Sequence, residues 1–329
     1  ATQAQVVKVM HAPDTEWQQW AKGTTLMVGG TIWISVDALL IKLSPSGCVT
    51  LVWRMLWLAN TLTLVLLLRA CWSTQSFISA LRKMHQDVVQ TGRWSFLIVL
   101  CYPIPVSLFV FAMQLTSAAN CLVLVGSSPL WSAMLSTAIL GDRLPLHTCI
   151  AIVLGFLCVV SIFLFSTSTD RRGASVLGDV ASLTIAITLA LYFIAVRFVT
   201  RHNGGKSLVP VLPIGCFLAA AFCLVMGADP FEVTARDMLW LWLMGGVMAP
   251  VAIPAFTLAA SMISAPECSL IQLLEMVLGP LWTWLVLGEV PSLATAVAGA
   301  CLVVVLVAHS LYAALHVTSK PAATEPLMG

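Results

Sequence analysis

The chain has 329 residues, of which 60% are hydrophobic and 9% charged, with a formal net charge of +2. A soluble domain carries roughly 25% charged residues, so this composition excludes a water-soluble globular protein, and the small net charge gives no reason to expect a nucleic-acid partner. The ten cysteines form no CxxC pair and lie in or at the ends of apolar runs. There they read as small hydrophobes, and neither a disulfide framework nor a zinc site is supported.

In chain order, residues 1–23 are polar, lack the apolar core of a signal peptide, and read as a cytoplasmic N-terminal segment. Ten apolar segments follow at 24–43, 48–69, 94–114, 117–140, 146–167, 177–199, 209–227, 237–258, 264–288 and 293–314. Each is near the ~20 residues that cross a bilayer as helix. Runs such as Cys149 to Phe165 are continuous, whereas a transmembrane β-barrel would alternate over about 10 residues. The fold class expected is therefore an all-α polytopic membrane protein with ten transmembrane helices. Residues 315–329 read as a cytoplasmic tail.

The longest connection, 70–93, places Phe77, Leu81, Met84 and Val88 at helical spacing beside Arg82, Lys83 and Asp87. An amphipathic helix on the membrane surface and a solvated linker both fit. Orientation follows from basic residues. With both termini inside, the inner segments carry Lys8, Lys22, Arg69, Arg82, Lys83, Arg93, Arg143, Arg197, Arg201, Lys206 and Lys320. The outer ones carry Lys42, Arg171, Arg172 and Arg236.

Pro103 to Asp142 aligns without a gap to Pro250 to Glu289. Identical pairs include Pro103/Pro250, Phe109/Phe256, Ala112/Ala259, Ser117/Ser264, Cys121/Cys268 and Gly141/Gly288. Five crossings separate the copies, and an odd number turns the second upside down. The expected organisation is two inverted five-helix repeats, 24–167 and 177–314. A pseudo-two-fold axis in the membrane plane makes two gates equivalent, which is the geometry of alternating access.

Two stretches carry a family resemblance. Ala118-Ala119-Asn120 through Ser128-Pro129-Leu130 to Leu140-Gly141-Asp142-Arg143-Leu144-Pro145, and Gln272-Leu273-Leu274-Glu275-Met276-Val277-Leu278-Gly279-Pro280-Leu281-Trp282 with Leu287-Gly288-Glu289, resemble the EamA family of the drug/metabolite transporter superfamily. The resemblance runs from about residue 24 to 314. It implies ten helices, a central cavity lined from both halves, and movement of small organic metabolites, often amino acids or related compounds and usually outward. The chain departs from the pattern with Asp142 where glutamate is usual and Asp37 where a small or amide residue is frequent. It also lacks the lysine-rich signatures of the nucleotide-sugar and sugar-phosphate branch.

Ionisable groups inside a bilayer cost several kcal/mol unless paired or hydrated, so each is a functional candidate. Asp37 and Arg54 lie at matching depth, roughly 9 Å below the outer boundary at about 1.5 Å per residue. They are placed to form a bidentate ion pair, which is either a static bond between two helices or a charge pair at the cavity rim. Glu275 lies near the midplane with no basic residue expected at its depth; it fits proton relay or binding of a substrate ammonium, or a neutral carboxyl bonded to a neighbouring backbone. Gln272 and Trp282 share its helical face.

Pro103, Pro105, Pro250 and Pro254 interrupt the third and eighth segments, where lost backbone bonds mark either moving gate helices or static kinks. Asn120, Tyr102 and Tyr192 are further polar candidates for the cavity, although interhelical hydrogen bonding explains such residues equally well. Trp33, four residues from Asp37, and Trp57, three from Arg54, are aromatic ones. No metal site or cofactor is expected.

The functional expectation is a secondary active or facilitative transporter of a small organic metabolite. Its partners are a small-molecule substrate and the lipid bilayer, with protons one candidate for coupling, and its assembly is a monomer or homodimer. No GxxxxGK[ST] occurs, so ATP does not drive it directly, and no HExxH or paired catalytic aspartates point to an enzyme. A transport-dead scaffold on the same fold, or a carrier of larger nucleotide-sugar-type solutes, is the alternative.

Overall fold

The computed structural model describes residues 16–44, 48–74, 76–115, 121, 124–142, 144–166, 176–225, 229–287 and 293–318. Among them the structure is helical, without strands. The helices are α1 (Glu16–Ile34), α2 (Asp37–Leu43), α3 (Cys48–Thr74), α4 (Phe77–Gln90), α5 (Phe96–Cys101), α6 (Pro103–Leu115), α7 (Ser128–Leu140) and α8 (Leu146–Ser166). There follow α9 (Val176–His202), α10 (Leu212–Val225), α11 (Ala235–Trp242), α12 (Ala249–Met262), α13 (Ala265–Gln272), α14 (Leu274–Leu287) and α15 (Leu293–Thr318). A π-helical stretch, Leu243–Met248, joins α11 to α12.

Six helical stretches are long and apolar enough to cross a membrane: Trp17–Ile41, Cys48–Thr74, Arg93–Ala112, Val176–His202, Ala235–Met262 and Ala265–Val286. Four further apolar helices, Ser128–Leu140, Leu146–Cys158, Val209–Val225 and Gly299–Tyr312, are shorter among the described residues. The connection at 70–93 is helical over α4, which settles helix against linker there.

Packing pairs distant parts of the chain. α1 lies on α12, α6 on α9, α3 on α10, α7 on α13, and α8 on α15. Small residues permit the closest of these approaches: a Cβ at Gly30 would sit 2.8 Å from Phe256 Cε1, so α1 reaches α12 only because no side chain intervenes. The main core gathers Met27, Leu51, Met55, Leu58, Phe193, Leu212 and Ile263, all buried, from these helices.

Helix starts follow local chemistry. Ser264 and Glu267 form a capping box at α13, with the Ser264 N–H donating to Glu267 Oε2 (2.9 Å) and Trp20 Nε1–H donating to Oε1 (3.3 Å). The first bond satisfies a backbone amide at the helix start, and the second ties α1 to α13. Asp142, at the turn after α7, reaches across to α9. It accepts from Arg201 Nη2 at 2.8 Å and lies 3.4 Å from Arg197 Nε. Its repeat counterpart Glu289 lies outside the described residues.

Several long stretches are interrupted. The first breaks at Ser35–Val36, the third at Tyr102, the fourth at Gly126–Ser127 and the ninth at Leu273. Prolines account for the third, because Pro103 and Pro105 cannot donate backbone bonds. At the ninth, Leu273 N–H turns to the carbonyl of Leu270 (3.2 Å) and Met276 N–H to that of Leu273 (3.0 Å), a tightening with no proline to force it. Pro254 sits inside α12 and Pro250 in its first turn, directly after the π-helical stretch.

Candidate central cavity

The helix interruptions meet around one cavity of about 1030 Å³, its mouth included. Its wall takes Ile34, Asp37 and Arg54 from the first helices, Tyr102, Pro105 and Phe109 from the third segment, and Gly126 and Ser128 from the fourth. From the second half come Leu189, Tyr192 and Phe193, Ile253 and Phe256, and then Ser269, Gln272, Leu273 and Glu275. Tyr102, Gly126 and Leu273 are break points and wall residues at once. Irregular backbone at membrane depth is tolerated where it lines a cavity.

Asp37 and Arg54 are both buried and pair at 2.6 Å between Oδ2 and Nη2. The bidentate fork expected from sequence is not formed, since Asp37 Oδ1 and Arg54 Nε are buried without a hydrogen-bond partner among the described residues. Backbone proximity fixes Arg54 from behind. A Cβ at Gly245 in the π-helical stretch would collide with the Arg54 carbonyl oxygen and lie 2.9 Å from Trp57 Cβ. Any side chain there would push α3 away.

Elsewhere in the lining several polar atoms lack partners among the described residues, although α14, which carries Glu275, packs on α2, which carries Asp37. Ser128 Oγ and Gln272 Oε1 are buried without hydrogen-bond partners among the described residues, and none of these makes a hydrogen bond to the half-buried Glu275. The ungapped alignment pairs Ser128 with Glu275, and both line the cavity. Sequence placed Glu275 at a depth without a basic residue. The structure instead puts it in the same chamber as the Asp37–Arg54 pair. Near them Ser132 and Ser269 hydroxyls bond at 2.6 Å across α7 and α13.

Tyr192 closes another side. Thr257 donates its hydroxyl hydrogen to the Ile253 carbonyl (2.8 Å), so the Tyr192 hydroxyl must donate to Thr257 Oγ1 at 2.7 Å. Its own lone pairs stay available. The Tyr102 ring lies 5.6 Å from that of Tyr192, and Phe109, Phe193 and Phe256 complete an aromatic wall.

Seven residues singled out from sequence thus share this wall: Asp37, Arg54, Tyr102, Pro105, Tyr192, Gln272 and Glu275. Others lie elsewhere. Trp33 is 42% exposed and outside the lining, because the break at Ser35–Val36 separates its helical face from that of Asp37. Trp57 is half-buried beside Trp53, with ring centroids 6.4 Å apart, and its indole N–H has no partner among the described residues. Trp282 donates to Ser35 Oγ at 2.8 Å, pinning α14 to the first break. Pro103, Pro250 and Pro254 belong to the interrupted helices but not to the lining. Asn120 lies outside the described residues.

Sequence reasoning missed Ser269 and Thr257 as well as the phenylalanine wall. Ser269 could have been found, since it lies three residues before Gln272 on the same face. Chemically, the chamber offers one guanidinium, two carboxyls, unpaired hydroxyl and amide oxygens, and aromatic faces. It suits a small solute with both polar and apolar parts.

The chain is similar in fold to a solved crystal structure, with a TM-score of 0.69 at 15% identity over 89% of this chain and 98% of the other. That identity speaks for the fold alone. No family model matches the sequence, and no curated protein matches it.

Proposed function

We propose that this chain is a secondary transporter of the EamA type, with ten transmembrane helices in two inverted five-helix repeats. It moves a small organic metabolite, an amino acid or a related compound, across its membrane by alternating access. The observation that carries this reading is the central cavity, walled by both halves of the chain, where interrupted helices meet around unpaired polar atoms. Ligand sites in transporters lie at such interrupted helices near the bilayer midplane.

Symmetry of the packing supports the inverted repeat. The first segment packs on the eighth as the sixth packs on the third, while second and seventh, fourth and ninth, and fifth and tenth pair with each other. That pattern is unchanged when the halves are exchanged. The irregular points match as well. The break at Gly126 aligns with that at Leu273, and the break at Tyr102 aligns with Ala249, where the π-helical stretch ends. Distribution of basic residues supports termini on the cytoplasmic side.

Glu275 is the group we assign to binding or coupling, with Gln272, Ser128 and Tyr192 as polar contacts and the Asp37–Arg54 pair as the charged end of the site. A thermal-shift screen of the purified protein against metabolites, followed by flux in proteoliposomes with and without a pH gradient, tests the assignment. Saturable flux of a stabilising solute is expected. A protein that binds solutes yet moves none of them across a sealed bilayer is a scaffold, and the proposal falls.

A further inference from the structure

Helix α4 belongs to no part of the cavity, and its surface is divided in a way that packing within the chain does not explain. A strip, Ala80 with Met84, Asp87 and Val88, leans on the protein, Ala80 being fully buried and Val88 packing on the main core. Taken at about 100° per residue, one flank of that strip carries Phe77, Leu81, Ile78 and Val89, with His85 among them. Phe77 is 64% exposed, Ile78 71% and Val89 62%. The other flank carries Arg82, Gln86, Ser79, Gln90 and Lys83, with Lys83 Nζ donating to Ser73 Oγ at 2.8 Å.

A helix in water would not leave four large apolar side chains open on one flank. A helix lying in the plane of a bilayer surface would, with its apolar flank down and its polar flank up. The surroundings fit that level. Trp72, at the end of α3, is 92% exposed. Arg93 stacks 5.2 Å above the Trp94 ring just beyond α4. Tryptophans and basic residues of this kind sit at headgroup depth. Between residues 69 and 93 the charged groups are Arg69, Arg82, Lys83 and Arg93 against Asp87 alone, with His85 the only other titratable side chain besides Cys71.

We propose that α4 is an in-plane membrane helix that binds anionic phospholipid headgroups: Phe77, Ile78, Leu81 and Val89 enter the acyl boundary while Arg69, Arg82, Lys83 and Arg93 contact the phosphates. This does not depend on whether the cavity transports anything. An in-plane helix of this kind fixes the depth of a membrane protein whatever that protein does.

The test uses the full chain in nanodiscs of phosphatidylcholine with 30 mol% phosphatidylglycerol, which gives the bilayer an anionic surface. A photocrosslinking amino acid, p-benzoylphenylalanine, replaces Ile78, Val89 or Gln86 in turn, and lipid adducts are read by intact mass. Positions 78 and 89 are expected to give several-fold more lipid adduct than position 86. Equal yields at all three would overturn the in-plane placement. Separately, phosphatidylglycerol retained per chain is measured for the native protein and for R82Q/K83Q. Each basic residue near an anionic surface contributes about five-fold in binding, so the double variant should retain at least five-fold less, and unchanged retention would overturn the headgroup assignment. Circular dichroism and the melting temperature of the variants separate loss of lipid from loss of fold.

Discussion

The two polar walls of the cavity are built on opposite principles. On one, Asp37 and Arg54 neutralise each other at 2.6 Å, backed by Gly245 and closed from water. On the other, Ser128, Gln272 and Glu275 hold polar atoms that no described residue satisfies. A charge in the paired wall depends on its partner for stability, whereas unpaired buried polar atoms cost stability and gain nothing within the chain. Substitutions at the pair should therefore lower stability, whereas those at Ser128, Gln272 and Glu275 should leave the protein folded and act on transport to differing degrees.

The largest effect is expected from Asp37→Asn. It leaves the Arg54 guanidinium buried without its counter-charge, at a cost of about 3 kcal/mol or more, read as a lowered melting temperature in detergent. Removing both charges with D37N/R54Q should restore part of that loss. If the single variant melts with the native protein, the paired wall is not structural and the contrast fails. Gly245→Ala comes next, at roughly 2–3 kcal/mol, because its methyl group meets the backbone of α3 rather than a side chain that can move. Tyr192→Phe removes one buried hydrogen bond to Thr257 and should cost about 1 kcal/mol.

Smallest of all is Ser128→Ala. With no partner to lose, it should change stability by less than about 0.5 kcal/mol or raise it slightly. A fall of several degrees would show that the hydroxyl has an intramolecular role.

Much of this contrast was legible in the sequence, for a physical reason. A charge or amide in an apolar run is expensive in a bilayer, so Asp37, Arg54, Gln272 and Glu275 stood out. So did the turn chemistry of Pro103 and Pro105. What stayed hidden was direction. Phe109, Phe193 and Phe256 face the cavity while Phe217 and Phe222 are exposed on the outer surface, yet both environments favour the same residue types, because lipid and protein interior are equally apolar. Breaks without proline were hidden too. Trp33 lies one helical turn from Asp37 in sequence, but the interruption at Ser35–Val36 turns it outward. Trp282 lies seven residues from Glu275, yet its indole N–H is taken by Ser35. The ungapped alignment was readable, and one of its aligned pairs, Gly126 and Leu273, is a break point in both copies.

Counterflow in proteoliposomes tests the central claim most directly. Native protein, Ser128→Ala and Glu275→Gln are reconstituted at equal density and loaded with a solute found by thermal shift. We expect the native protein to exchange it, Ser128→Ala to retain most of the rate, and Glu275→Gln to lose at least ten-fold (about 1.4 kcal/mol) while melting within a degree or two of native. Full exchange by Glu275→Gln, at every pH and with or without a proton gradient, would contradict the assignment of the unpaired wall as the working face of the cavity.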